Sequence, residues 1–130
     1  MNRRSYLTVT VAALASLKGA AAQAAKNPIV LHCDLSVDSA KEQEMLRNFR
    51  TVFKPAAIKF PGYIDVKMLK LRQAMQGSAP AGVNYRFQLT YESEELRQKW
   101  IASDVHKKVW PTIENLLRSK DYPVLLFDTM

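Results

Sequence analysis

Two imidazoles, His32 and His106, are the side chains of this 130-residue sequence whose ordinary pKa lets them exchange a proton near neutrality. Around them stand the aromatic groups able to hold a ring. The indoles of Trp100 and Trp110 can each stack an aromatic ligand and donate one hydrogen bond, and the phenol of Tyr85 can orient a substrate hydroxyl. Each has an ordinary structural reading as well: a packed indole or phenol in the core, and a His106 on a helix surface or in a structural hydrogen bond. A single cysteine, Cys33, excludes an intramolecular disulfide and any zinc or iron–sulfur cage built from several cysteines of one chain. No phosphate-binding glycine loop, nucleophile elbow or His-Glu-x-x-His helix occurs, and no metal site is expected. Chemistry here would have to run on imidazole, indole and phenol.

The chain that must position these groups is one domain long, and at 48% hydrophobic it can build a core. With 24% charged residues and few Gly and Pro, it is neither a disordered polyelectrolyte nor a low-complexity chain. Its first residues differ from the rest. Arg3 and Arg4, an apolar run from Leu7 to Leu17 and small residues from Ala20 to Ala25 follow the order of an export signal. The arginine pair, followed by Tyr6 and Leu7, looks like the twin-arginine form, with an ordinary secretory signal as the alternative. The run is too short for a permanent membrane span, which takes roughly 20 residues. The expected organisation is therefore a signal over residues 1–24 and a domain over 25–130, periplasmic or secreted. Loss of Arg3, Arg4 and Lys18 lowers the net charge from +7 to +4, and the remaining bases are scattered, which speaks against nucleic acid as a partner.

Strict alternation predicts a strand over Ile29 to Val37, with Leu31 and Cys33 on one face and Val30, His32 and Asp34 on the other. Asp38-Ser39 offers a cap, with Glu42 at capping-box spacing from Ser39, for a helix that runs to about Lys54 and bends at Pro55. After the Phe60-Pro61-Gly62 turn, Tyr63 to Leu69 reads as a second strand. The loop from Gln76 to Gly82 then leads to a third over Asn84 to Tyr91, paired with the second as a hairpin. Ser93 caps a helix carrying Leu96 and Trp100, Ser103-Asp104 restarts it, and Tyr122 to Phe127 closes the chain as a buried strand.

The order βαββαβ predicts an α+β, ferredoxin-like sandwich with helices on one side of an antiparallel sheet. Alternation assigns Leu31, Cys33, Ile64, Val66, Met68, Tyr85, Phe87 and Leu89 to the face under the helices. The opposite face mixes Val30, Tyr63, Leu69, Leu125 and Phe127 with charges of both signs, among them Asp34, Lys67 and Arg86. Such a face suits two copies packed sheet to sheet, so a homodimer is expected.

Phe60-Pro61-Gly62-Tyr63 before a strand, Tyr91-Glu92-Ser93-Glu94-Glu95-Leu96, and Trp100-x-x-Ser103-x-x-His106 together resemble the antibiotic biosynthesis monooxygenase (ABM) domains of the dimeric α/β-barrel superfamily, over residues 28–130. The resemblance implies a barrel formed by two sheets across a dimer, with a pocket in each subunit between its own sheet and helices. Proteins of this kind include cofactor-independent oxygenases of aromatic polyketides and quinols, haem-degrading enzymes, and many with no demonstrated activity. Haem-degrading relatives carry a His ten residues after the helix Trp and an Asn on the first strand. Here Trp110 stands at the first place and no Asn at the second.

The resemblance thus implies a monooxygenase of a small aromatic or quinol that needs no cofactor. His106 would be its base, since alternation turns His32 to the outer face. Trp100 is expected to face the sheet near Tyr85 and to line an apolar cavity, with His106 at its mouth and Trp110 as a second wall or as core. The alternatives are a ligand-binding or stress-related protein without turnover and, further off, a haem binder.

Overall fold

The computed structural model describes residues 27–130, so the expected export signal lies outside the described residues. The first strand, β1 (Ile29–Leu35), is central. It pairs antiparallel with β3 (Tyr85–Tyr91) on one side and β4 (Val124–Asp128) on the other, and β2 (Tyr63–Lys70) completes the sheet beyond β3 in the order β2-β3-β1-β4. With the helices on one face, this is the α+β ferredoxin-like fold that the element order predicts.

Leu31, Cys33 and Leu35 of β1 and Tyr85, Phe87, Leu89 and Tyr91 of β3 are all buried beneath the helices. Period two places them there. The same reasoning fails at the start of β2, where Tyr63 pairs with Tyr91 but Asp65 pairs with Thr90, leaving Ile64 in a bulge. Ile64 is therefore 37% exposed, and Tyr63, expected outside, packs against the core. The turn before the bulge depends on Gly62, whose φ of 95° disfavours any side chain. A Cβ there would also stand 2.7 Å from Cβ of Leu96, so the turn and the second helical region are in backbone-close contact.

The first helical region, α1 (residues 39–57), begins as a 3-10 turn at Ser39–Lys41 and is capped by Asp38, whose carboxylate accepts the Ala40 N–H at 3.0 Å. It continues as α-helix over Glu42–Asn48, widens to a π turn at Phe49–Phe53 and returns to α-helix at Lys54–Ala57. The helix thus outlasts the expected end at Lys54. Pro55 is accommodated at the start of the last α-helical turn, directly after the widened turn in which the Lys54 N–H reaches back to the Phe49 carbonyl. Met45, Phe49, Phe53 and Ala57 are the buried residues of α1.

The last strand is the second correction. Expected as buried, β4 is an edge strand that contacts only β1 within the sheet, and all five of its residues are exposed. Leu125 and Phe127 share the outer face with His32 and Val30, opposite which they pair.

Candidate functional site

The remaining helices, α2 (Glu94–Ala102), α3 (Asp104–Val109) and α4 (Pro111–Glu114), carry most of the candidate groups. Ser93 caps α2 by accepting the Leu96 N–H. Residues three and four apart share a helical face, so Arg97, Trp100 and Ile101 point together toward the sheet. Ser103 then does two things. Its hydroxyl donates to the Trp100 carbonyl at 2.7 Å and accepts the His106 N–H at 3.1 Å. This explains the Trp-x-x-Ser-x-x-His spacing: one serine ends α2, starts α3 and fixes the angle between them, bringing the His106 ring edge-on to the Trp100 indole at 5.2 Å between centroids.

Trp110, at the junction of α3 and α4, lies nearly parallel to His106 with centroids 6.4 Å apart. Its indole N–H donates to the Tyr122 hydroxyl at 3.0 Å, and that hydroxyl donates to Glu114 Oε2 at 2.7 Å. Behind both indoles, Phe53 and Phe87 set their rings edge-on or tilted. Between this aromatic cluster and the sheet is a cavity of about 140 Å³, with Leu31, Cys33, Phe87 and Leu89 as its sheet wall and Arg97, Trp100, His106 and Trp110 opposite.

Three of the four residues singled out from the sequence, His106, Trp100 and Trp110, thus meet around one cavity. Tyr85 does not join them. It sits at the far end of β3 and donates its hydroxyl to Glu42 Oε2 at 2.5 Å, an oxygen that Lys70 also reaches at 2.6 Å. The expectation of Trp100 beside Tyr85 is corrected accordingly, because Glu42, free of the capping box once Asp38 caps α1, takes the phenol instead. Arg97, Cys33 and Tyr122 line the cavity without having been singled out for it. The helical spacing of Arg97 from Trp100 was a usable signal; Tyr122 carried none.

Burial holds two of the cavity's titratable groups uncharged. Burial pushes the His106 imidazolium below its ordinary range, with the Arg97 charge adding to this and Glu114 opposing it, so the ring is neutral at neutral pH. Burial, reinforced by Asp34, pushes the Cys33 thiol up to about 12, which keeps it protonated and unreactive. Trp100 is fully buried, and its indole N–H has no hydrogen-bond partner among the described residues.

The His106 shift has a consequence for stability. Because the unfolded chain takes up this proton at a higher pH than the folded one, His106 costs nothing above about pH 6.5 and destabilises the fold progressively as pH falls below that value. The difference between thermal melts of wild type and His106→Gln should be constant above neutrality and shift against the wild type as pH falls below about 6.5; equal acid slopes would contradict the buried neutral ring.

A cavity of this size suits one ring, since about 150 Å³ of apolar space takes a benzene. A tetrapyrrole is several times larger than this space. Among the described residues no group of His, Cys, Asp and Glu could hold a metal ion, and no helix is long and apolar enough to cross a membrane.

No family model matches the chain, and no curated protein matches it. Solved structures share its fold. A provisionally assigned antibiotic biosynthesis monooxygenase of Caulobacter crescentus CB15 superposes with a TM-score of 0.62 at 16% identity, over 82% of this chain and 92% of its own. A dimeric ferredoxin-like protein of unknown function from Jannaschia sp. CCS1 gives 0.62 at 14%, over 79% and 98%. A heme-degrading protein of Mycobacterium tuberculosis gives 0.54 at 17%, over 78% and 90%. The chain has the ferredoxin-like fold of these proteins.

Proposed function

We propose that the chain is an exported, homodimeric member of the ABM proteins and a cofactor-independent monooxygenase of a small aromatic or quinol. The observation that carries this reading is the neutral imidazole of His106 set against the Trp100 and Trp110 indoles, on a cavity the size of one ring. His106 would accept the proton of a ring hydroxyl. The anion left behind can pass an electron to dioxygen. Recombination then places one oxygen atom on the ring, and the other leaves as water with two hydrogens from the substrate, which converts a phenol to a quinone with no outside reductant.

Purified protein should consume oxygen with a responsive hydroquinone or phenol in the absence of added metal or flavin, and aromatic ligands should quench tryptophan fluorescence. Trp100→Phe should weaken that binding without unfolding the domain. Quenching without oxygen uptake across a broad panel would leave a binding protein without turnover. The weak basicity of the buried His106 imidazole favours that second reading.

Dimer formation through the outer sheet face is supported by the exposed Leu69, Leu125 and Phe127 and by the dimeric neighbour from Jannaschia. On the same face the Nδ1 atom of His32 is buried without a partner among the described residues. Export rests on residues 1–24 alone. Expression of the full chain should yield periplasmic protein beginning near Ala25, and Lys-Lys in place of Arg3-Arg4 should block export by a twin-arginine route, as N-terminal sequencing of each fraction will report.

A further inference from the structure

Of the side chains lining the cavity, only Arg97 carries a permanent charge. It is not a loose surface arginine: the side chain is 17% exposed, and Glu94 holds it from one edge, accepting Nε at 2.6 Å through Oε1 and Nη2 at 2.8 Å through Oε2. Glu94 is held in turn by Gln98 at 2.8 Å. A guanidinium has five N–H donors. The clamp uses two, so three have no partner among the described residues, on a group fixed at the wall that also bears His106.

We infer that the cavity selects rings bearing an ionisable hydroxyl, and that Arg97 receives the ring oxygen as an anion when its O–H bond breaks and the proton passes to His106. This rests on reading the cavity as a ligand site. The chemistry requires such a cation. An ordinary phenol ionises near pH 10 and imidazolium near 6.5, a gap of about three and a half units, so His106 unaided would hold the proton in roughly one complex in several thousand. Burial of the ring widens the gap. A lone cation beside the oxygen lowers the phenol by about one to three units; with Glu94 on its far edge Arg97 supplies the lower part of that range plus its direct hydrogen bonds, which makes transfer reachable for the more acidic rings and leaves unactivated ones bound but protonated. The other ionisable groups near His106 do not supply this. The Cys33 thiol of β1 is uncharged, Tyr122 stays protonated, and the acid Glu114 reaches the cavity only through Tyr122.

The probes are para-nitrophenol and para-nitrotoluene, alike in shape, of which only the first ionises. Wild type should bind para-nitrophenol as the coloured phenolate at a pH where the free phenol is largely protonated. Arg97→Gln should weaken that binding by about tenfold to a hundredfold, the range of a hydrogen bond to a charged group, and remove the phenolate band. Para-nitrotoluene should change by less than about twofold. Arg97→Lys, which restores the charge, should recover much of the phenolate preference and guards against a general disturbance of α2; circular dichroism checks the fold of both. Equal weakening of the two probes, or none, would overturn the role of Arg97 while leaving the cavity as a ligand site. Failure of both probes to bind wild type would overturn the ligand site and this inference with it.

Discussion

Phe127→Asp should turn a protein that sediments as a dimer at micromolar concentration into a monomer. Phe127 lies on the outer face of β4, opposite Val30 and 5.0 Å from the His32 ring, and is 46% exposed in the isolated chain. Burying it with Leu69 and Leu125 against a second copy removes from water three large side chains worth about 5 kcal/mol before the cost of association. A carboxylate on that face would be desolvated when the second copy covers it. Arg86, on the same face, is already held by Asp34 through Nε at 2.7 Å and Nη2 at 3.1 Å. Sedimentation velocity with circular dichroism separates dissociation from unfolding. A wild type that is already monomeric, or a variant that stays dimeric, would show that this face is not the interface.

Phe53→Ala should cost about 3–5 kcal/mol of stability, the range for removing a buried aromatic ring. Phe53 is 1% exposed and edge-on to Phe87, Trp100 and Trp110 at 5.2, 5.8 and 5.7 Å. Phe87, Trp100 and Trp110 themselves line the cavity, so none of these three rings can refill that volume without leaving its wall. Chemical denaturation gives the loss directly, and ring binding should weaken beyond what partial unfolding explains, because both indoles lose their common support. A loss below about 1 kcal/mol would mean that the cluster closes around the gap.

Where local rules act alone, the sequence was readable. Alternation placed β1 and β3 correctly because neither carries a bulge, and Ser93 and Ser103 behaved as caps because a short hydroxyl beside exposed N–H groups has few other uses. Local rules do not reach a choice that depends on distant atoms. Ile64 and Tyr63 exchanged roles because the close approach of Gly62 to Leu96 is tertiary. The outward Leu125 and Phe127 were legible as a partner face, but the exposure of Val124 and Leu126 on the other side of β4 could not be inferred from residues apolar enough for an interior. At the site, the spacing of Trp100, Ser103 and His106 was legible and Trp110 followed from it. The place of Tyr85 was not legible, because nothing local shows that Glu42 would claim its hydroxyl.

The widened turn at Phe49–Phe53 acts as a phase corrector. Met45, Phe49, Phe53 and Ala57 recur every four residues, and in an uninterrupted α-helix twelve residues at about 100° each would leave the last some 120° around the axis from the first. One extra residue in a turn subtracts about 100°, so all four stay on the sheet. Insertions and deletions are thus not equivalent along α1. Removing a single exposed residue such as Arg50 would leave eleven steps from Met45 to Ala57, about 1100°, so a regular α-helix would keep both on the sheet, whereas one more residue in a regular turn would swing them apart.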